Sequence, residues 1–135
     1  MILPDRFTSR ILLTPGPLST PCHVWTGALD RKGYGKFWWN GKTVKTHRLV
    51  YQLRVRVVSQ EELLDHLCRN HACCNEIHLE PVTNKVNTLR GESPSAKHAR
   101  KTHCPRGHEY SLENTAVYVG KRFCRACQKE RNRKR

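Results

Sequence analysis

At 135 residues the chain has room for one compact domain and an appendage, and a hydrophobic content of 37% is low for a fold held by an apolar core alone. Lys and Arg number 25 against 11 Asp and Glu, a formal charge of +14 spread along the whole chain. That balance points to a polyanionic partner, because cations that neutralise phosphates release condensed counterions. A membrane partner is not expected: no apolar run approaches the roughly 20 residues needed to span a bilayer, and no basic helix with a broad apolar face appears. Seven cysteines, an odd number, occur at close Cys/His spacings, and the start of the chain lacks the basic-then-apolar order of an export signal. This argues for thiolates on metal in a reducing compartment rather than disulfides, and hence for a cytoplasmic protein with zinc as the first candidate.

In chain order, residues 1–20 read as an N-terminal arm ending in Thr14-Pro15-Gly16-Pro17. The region 21–91 carries most of the structural signals. There, Gly35 to Trp39 and Lys42 to Thr46 flank Asn40-Gly41, a strong hairpin signal because both turn residues tolerate positive φ. His47 to Arg54 places Leu49, Val50 and Leu53 at helical spacing, the pattern of core packing. Glu61 to Leu67 fits helix or strand equally. Thr83 to Arg90 puts Val82, Val86 and Leu89 on one helical face, with Thr83 as cap and Gly91 as stop. The polar stretch 92–102 contains Ser93-Pro94-Ser95 and reads as a linker. A second module, 103–135, suggests a hairpin from Asn114–Tyr118 and Gly120–Phe123, then a basic helix over Arg125 to Arg135 whose end reads equally as a frayed tail.

Two ligand sets stand out. Cys68, Cys73 and His78 form a Cys-x4-Cys-x4-His array that needs a fourth ligand, and Cys22 is the unassigned cysteine upstream. Cys74 is an alternative to Cys73. Simple buried thiols are the plainer reading, but they leave His78 without a role. In the second module Cys104-x3-His108 and Cys124-x2-Cys127 suit a closed tetrahedral zinc with no open position for water. Both zincs are therefore expected to be structural.

The run Asp65-His66-Leu67-Cys68, then Cys73, Asn75, His78-Leu79 and Asn87, preceded by Cys22 to Gly27, Gly33-Tyr34-Gly35 and His47-Arg48, resembles the HNH homing endonucleases of the His-Me finger (ββα-metal) superfamily. The likeness is to the phage type with a zinc-binding loop, and it covers about half of the chain. Glu76 stands where that family usually has proline, and Cys74 where it has an apolar residue; neither change removes a ligand. The resemblance implies an α+β, zinc-stabilised ββα-metal core followed by a C-terminal zinc finger, acting as a divalent-metal-dependent DNA endonuclease. By the same likeness His66 is the general base, Asn87 a Mg²⁺ ligand and Asp65 a second one, with Mn²⁺ able to substitute. One difficulty is that neighbouring strand residues point to opposite faces, so Asp65 and His66 share a site only where the strand ends or bulges. Asn75 is expected to pin the zinc loop through backbone groups. Lys45, His47 and Arg48, together with Arg125 and Arg131 on the terminal helix, are candidate DNA contacts, a generic basic surface being the alternative. The rival functional class is a non-catalytic zinc-dependent DNA-binding protein, or an assembly protein that merely holds nucleic acid. The sequence leaves open whether two chains pair as a homodimer.

Overall fold

The computed structural model describes residues 2–134 and divides into two compact units, Met1–Asn87 and Thr88–Arg135. The outermost residues of the expected arm and of the expected basic helix, Met1 and Arg135, lie outside the described part.

The first unit begins with one helical turn, α1 (Asp5–Thr8), and a strand, β1 (Ile11–Thr14), that pairs antiparallel with β2 (Cys22–Trp25), setting Leu13 opposite His23. Phe7 is fully buried, its ring 4.8 Å from that of Trp25 and 5.0 Å from that of Phe37. Leu3 and Phe7 of the expected arm thus belong to the core of the first unit. The reason is compositional: a chain this poor in apolar residues recruits Leu3 and Phe7 to complete a cluster with Trp25, Phe37, Leu49 and Val50.

Next come β3 (Lys36–Trp39) and β4 (Lys42–Lys45), an antiparallel hairpin closed by Asn40 at φ 46° and Gly41 at φ 79°. Both turn residues are left-handed, the geometry that Asn-Gly favours and that matches strand twist. Helix α2 (Thr46–Arg54) follows without a break. It buries Leu49 and Val50 in the first cluster and Tyr51 in a second, with Val58, Leu64 and Leu79. The ambiguous stretch around Glu61–Leu67 is a strand, β5 (Leu63–His66), because it has an antiparallel partner in β6 (Leu79–Val82) with His66 opposite Leu79. A long loop joins these two strands and closes on a short 3₁₀ turn, Glu76–His78. Helix α3 (Asn84–Arg90) comes after β6, and Thr83 Oγ1 accepts from the Val86 N–H at 3.3 Å, the expected cap. Its expected apolar face is only half buried, Val86 and Leu89 being 38% and 41% exposed.

In the second unit the expected linker contains a helix, α4 (Pro94–Arg100). Ser93 caps it by accepting from Ala96 N–H at 3.2 Å, and Pro94 occupies the first turn, where its missing N–H costs nothing. Ser-Pro was a start signal here, not a loop signal. Strands β7 (Thr115–Tyr118) and β8 (Lys121–Cys124) pair antiparallel across Val119 and Gly120, both at positive φ. Helix α5 (Arg125–Arg133) follows β8, and Arg122 ties α4 to the hairpin by donating to the carbonyls of His98 and Lys101 at 2.8 and 2.9 Å. The protein is therefore a small mixed α/β chain, and among the described residues no helix is long and apolar enough to cross a membrane.

Candidate functional site

Two groups of side chains could hold zinc: Cys22, Cys68, Cys73 and His78 in the first unit, and Cys104, His108, Cys124 and Cys127 in the second. Within each, the ligand atoms lie within 4.8 Å of one another.

In the first group His78 Nδ1 sits 3.7 Å from Cys22 Sγ and 3.6 Å from Cys73 Sγ, close to the edge of a tetrahedron with arms of about 2.2 Å. The far ring nitrogen, Nε2, is 2.7 Å from the Thr20 hydroxyl, an outer bond of the kind that fixes the orientation of a metal-binding imidazole. Asn75 donates from its backbone to Cys73 Sγ at 3.4 Å. Its side chain donates to Pro21 O and accepts from Ile77 N–H, pinning the loop. Cys74 lies outside the group: its thiol points to the His23 carbonyl at 3.2 Å and it packs with Phe7 and Val50. Burial pushes the Cys73 thiol up to about 12, so a thiolate there needs a cation beside it.

In the second group Cys104-Pro105-Arg106-Gly107-His108 folds into a tight knuckle. Gly107, at φ 84°, donates to Cys104 O at 2.9 Å. His108 Nδ1 is 3.5, 3.7 and 3.3 Å from the sulfurs of Cys104, Cys124 and Cys127. The Cys127 N–H, outweighing desolvation and helped by the Asn114 amide, holds the Cys124 thiol down to about 6. Asn114 donates to Cys124 Sγ at 3.4 Å while accepting from Ala126 N–H at 2.9 Å. Glu130 faces His108 Nε2 at 3.7 Å and pairs with Arg106 at 2.6 Å. Asn114→Ala is expected to weaken zinc binding at this site about 10- to 100-fold, the usual loss for an outer-shell partner. Competition against a chromophoric chelator measures it, and an unchanged affinity would mean the amide merely caps α5.

His66, the last residue of β5, is 3% exposed. Its Nε2 is 3.0 Å from the carbonyl of Cys73, and since a carbonyl only accepts, that nitrogen carries the hydrogen and leaves Nδ1 with a lone pair. Burial pushes its pKa down to about 4, against the opposing pull of the Cys73 carbonyl. Around it stand His47, with ring centroids 4.8 Å away, Tyr34 at 5.7 Å and His71 at 5.8 Å. Tyr34 and His71 stack nearly flat at 4.4 Å, and Lys45 Nζ lies 4.1 Å above the Tyr34 ring. His47 is held down to about 3, by burial first and by His66 second, and its Nδ1 is buried with no hydrogen-bond partner.

The other candidates fall as follows. Asp65 is buried and turned to Arg69, whose guanidinium it accepts at 3.0 Å. Its carboxylate nevertheless lies within electrostatic reach of Tyr34, which packs beside His66. Asn87 is half-buried on α3, and its side chain makes no hydrogen bond to His66 among the described residues. The Arg48 fork is spent on the carbonyls of Val58, Ser59 and Glu62, so it braces the loop before β5 instead of facing outward. Lys45 is exposed but pairs with Asp30 at 3.1 Å, whereas Arg125 and Arg131 are exposed on α5. Nothing in the sequence marked Thr20, Asn114 or Glu130 as a partner of a ligand. The Tyr34–His71 stack had only the Gly33-Tyr34-Gly35 run to announce it.

No family model matches the chain, and no solved structure does. Two curated phage proteins are similar. Protein 7.7 of Escherichia phage T7 is 40% identical over 67 residues, 50% of this chain and 52% of its own length. Protein 2.8 of the same phage is 34% identical over 90 residues, 65% of this chain and 58% of its own length. The chain thus spans between half and three-fifths of the curated phage relatives that it matches.

Proposed function

We propose that the chain is a divalent-metal-dependent DNA endonuclease of the HNH, His-Me finger kind, with His66 as general base. One observation carries the reading: the ring of His66 ends a strand and is locked by a carbonyl of the Cys/His loop, leaving Nδ1 able to take a proton from water. The order strand β5, Cys/His loop, strand β6, helix α3 supports it as well. Asp65 and Asn87 would hold Mg²⁺, which when bound polarises the phosphate and stabilises the departing 3′-oxygen. Arg69 would have to swing off Asp65, and its side chain is 57% exposed, so little beyond that ion pair retains it. Lys45, Arg125 and Arg131 would contact phosphates, and both zincs would be structural.

The deep burial of His66 and its packing against His47 favour one other reading, a zinc-dependent DNA-binding protein in which these rings are core. Supercoiled DNA carrying the gene's own genomic locus separates the two. The zinc-loaded protein is expected to nick it in Mg²⁺ or Mn²⁺. Asn87→Ala should nick more slowly and recover in part at raised Mg²⁺, because it removes one ligand and not the base. Tight binding with no cleavage in either metal would assign the chain to the second reading.

A further inference from the structure

In the 88–135 unit a concavity of about 450 Å³ has Cys104, Cys124 and Cys127 of the second Cys/His group in its wall and extends beyond them. Its walls include Arg106, Tyr110, Arg122, Phe123, Arg131 and Lys134. Only one acid lines it among the described residues, Glu130, and Arg106 already pairs with that carboxylate at 2.6 Å. Arg122, Arg131 and Lys134 have no carboxylate partner within the groove, and with Arg106 they outnumber Glu130 and the single net negative charge of a zinc on three thiolates, so the net field is positive. Two aromatic surfaces share the same hollow. Arg122 lies 3.9 Å over the Tyr110 ring and is held there by the carbonyls of His98 and Lys101, so a guanidinium–phenol contact is already built. Phe123 is 43% exposed on β8, directly before the ligand Cys124.

Cations alone would suit the outside of a duplex, whose phosphates are its accessible charges. Ring faces set inside a hollow are different: paired, stacked bases cannot lie on them, and a base out of the helix can. We infer that this groove binds an unpaired DNA nucleotide, its base on the exposed ring of Phe123 and its phosphates on Arg131 and Lys134. The inference rests on the DNA-binding half of the proposed function and not on cleavage.

The test uses the full chain with both zincs bound and measures anisotropy with labelled oligo(dT), a blunt duplex, and the same duplex carrying one bulged thymidine. Phe123→Ala is expected to weaken oligo(dT), the bulged duplex or both by about 5- to 100-fold, the range for loss of one stacking platform, and to leave the blunt duplex within about twofold. The strand and the bulge tell a free single strand from an extruded base. Arg131→Gln with Lys134→Gln should weaken all three and flatten the salt dependence. Should Phe123→Ala lose zinc, Phe123→Leu keeps the apolar bulk without the π face and is read in the same way. Equal losses on paired and unpaired DNA, or no loss on either, would overturn the inference. A parent protein that binds all three DNAs but never cleaves would sink the nuclease and leave this groove standing.

Discussion

His66→Gln is expected to lower nicking of supercoiled DNA by at least about 100-fold, the usual loss when a general base is removed, while zinc content and DNA affinity stay near the parent's. Glutamine is the more telling replacement, because its amide can still donate to the Cys73 carbonyl that the imidazole meets at 3.0 Å. The buried ring site is then filled and its acceptor satisfied, but no group remains to take a proton. His66→Ala should match it in rate and differ only in stability, since it opens a cavity among Tyr34, His47 and His71. A glutamine variant that nicks as fast as the parent would show that His66 is core and not base.

The larger effect belongs to the first zinc group. Structural zinc contributes on the order of 10–16 kcal/mol in small domains, comparable to or above the 5–15 kcal/mol by which whole domains are stable. Metal analysis of the parent should give two zincs per chain. Cys68→Ala should hold one and lose the environment of the buried Trp25, which shares its unit with that ligand set. Cys74→Ala is the matched control: its thiol is equally buried but bonds the His23 carbonyl, so two zincs should remain. A Cys68→Ala protein with two zincs, or with an unchanged Trp25 signal, would rule out the assigned ligands.

Spacing made both ligand sets legible from the sequence, because Cys and His at such short intervals leave few alternatives to a shared metal. The choice of Cys73 over Cys74 was not: it depends on which thiol the loop turns inward, and the Asn75 bonds to Pro21 and Ile77 decide that. The Asn40-Gly41 turn was readable because its two positive φ values demand those residue types. Two segments misled. Ser93-Pro94 signals a turn and a helix start equally, and here it starts α4. The first 20 residues carried no periodic pattern, so the burial of Phe7 could appear only once Trp25 and Phe37 were brought beside it. At the histidine cluster the sequence pointed to His66, whereas the stack of Tyr34 on His71 joins residues 37 positions apart, and the Gly33-Tyr34-Gly35 run marks only one side of it.

Cys22 and His78 are 56 positions apart, whereas Cys104 and Cys127 are 23 apart. Loop-closure entropy grows only logarithmically, so this difference amounts to about 0.8 kcal/mol, but its kinetic meaning is larger. The second group can be gathered by a local hairpin and one helical turn. The first needs β1 and β2 to meet the Cys/His loop before its fourth ligand, the Cys22 thiolate, is in place. During synthesis Cys22 is made first and must wait through most of the first unit as a free thiol until Cys68, Cys73 and His78 follow, and oxidation in that interval would remove the ligand that closes the site.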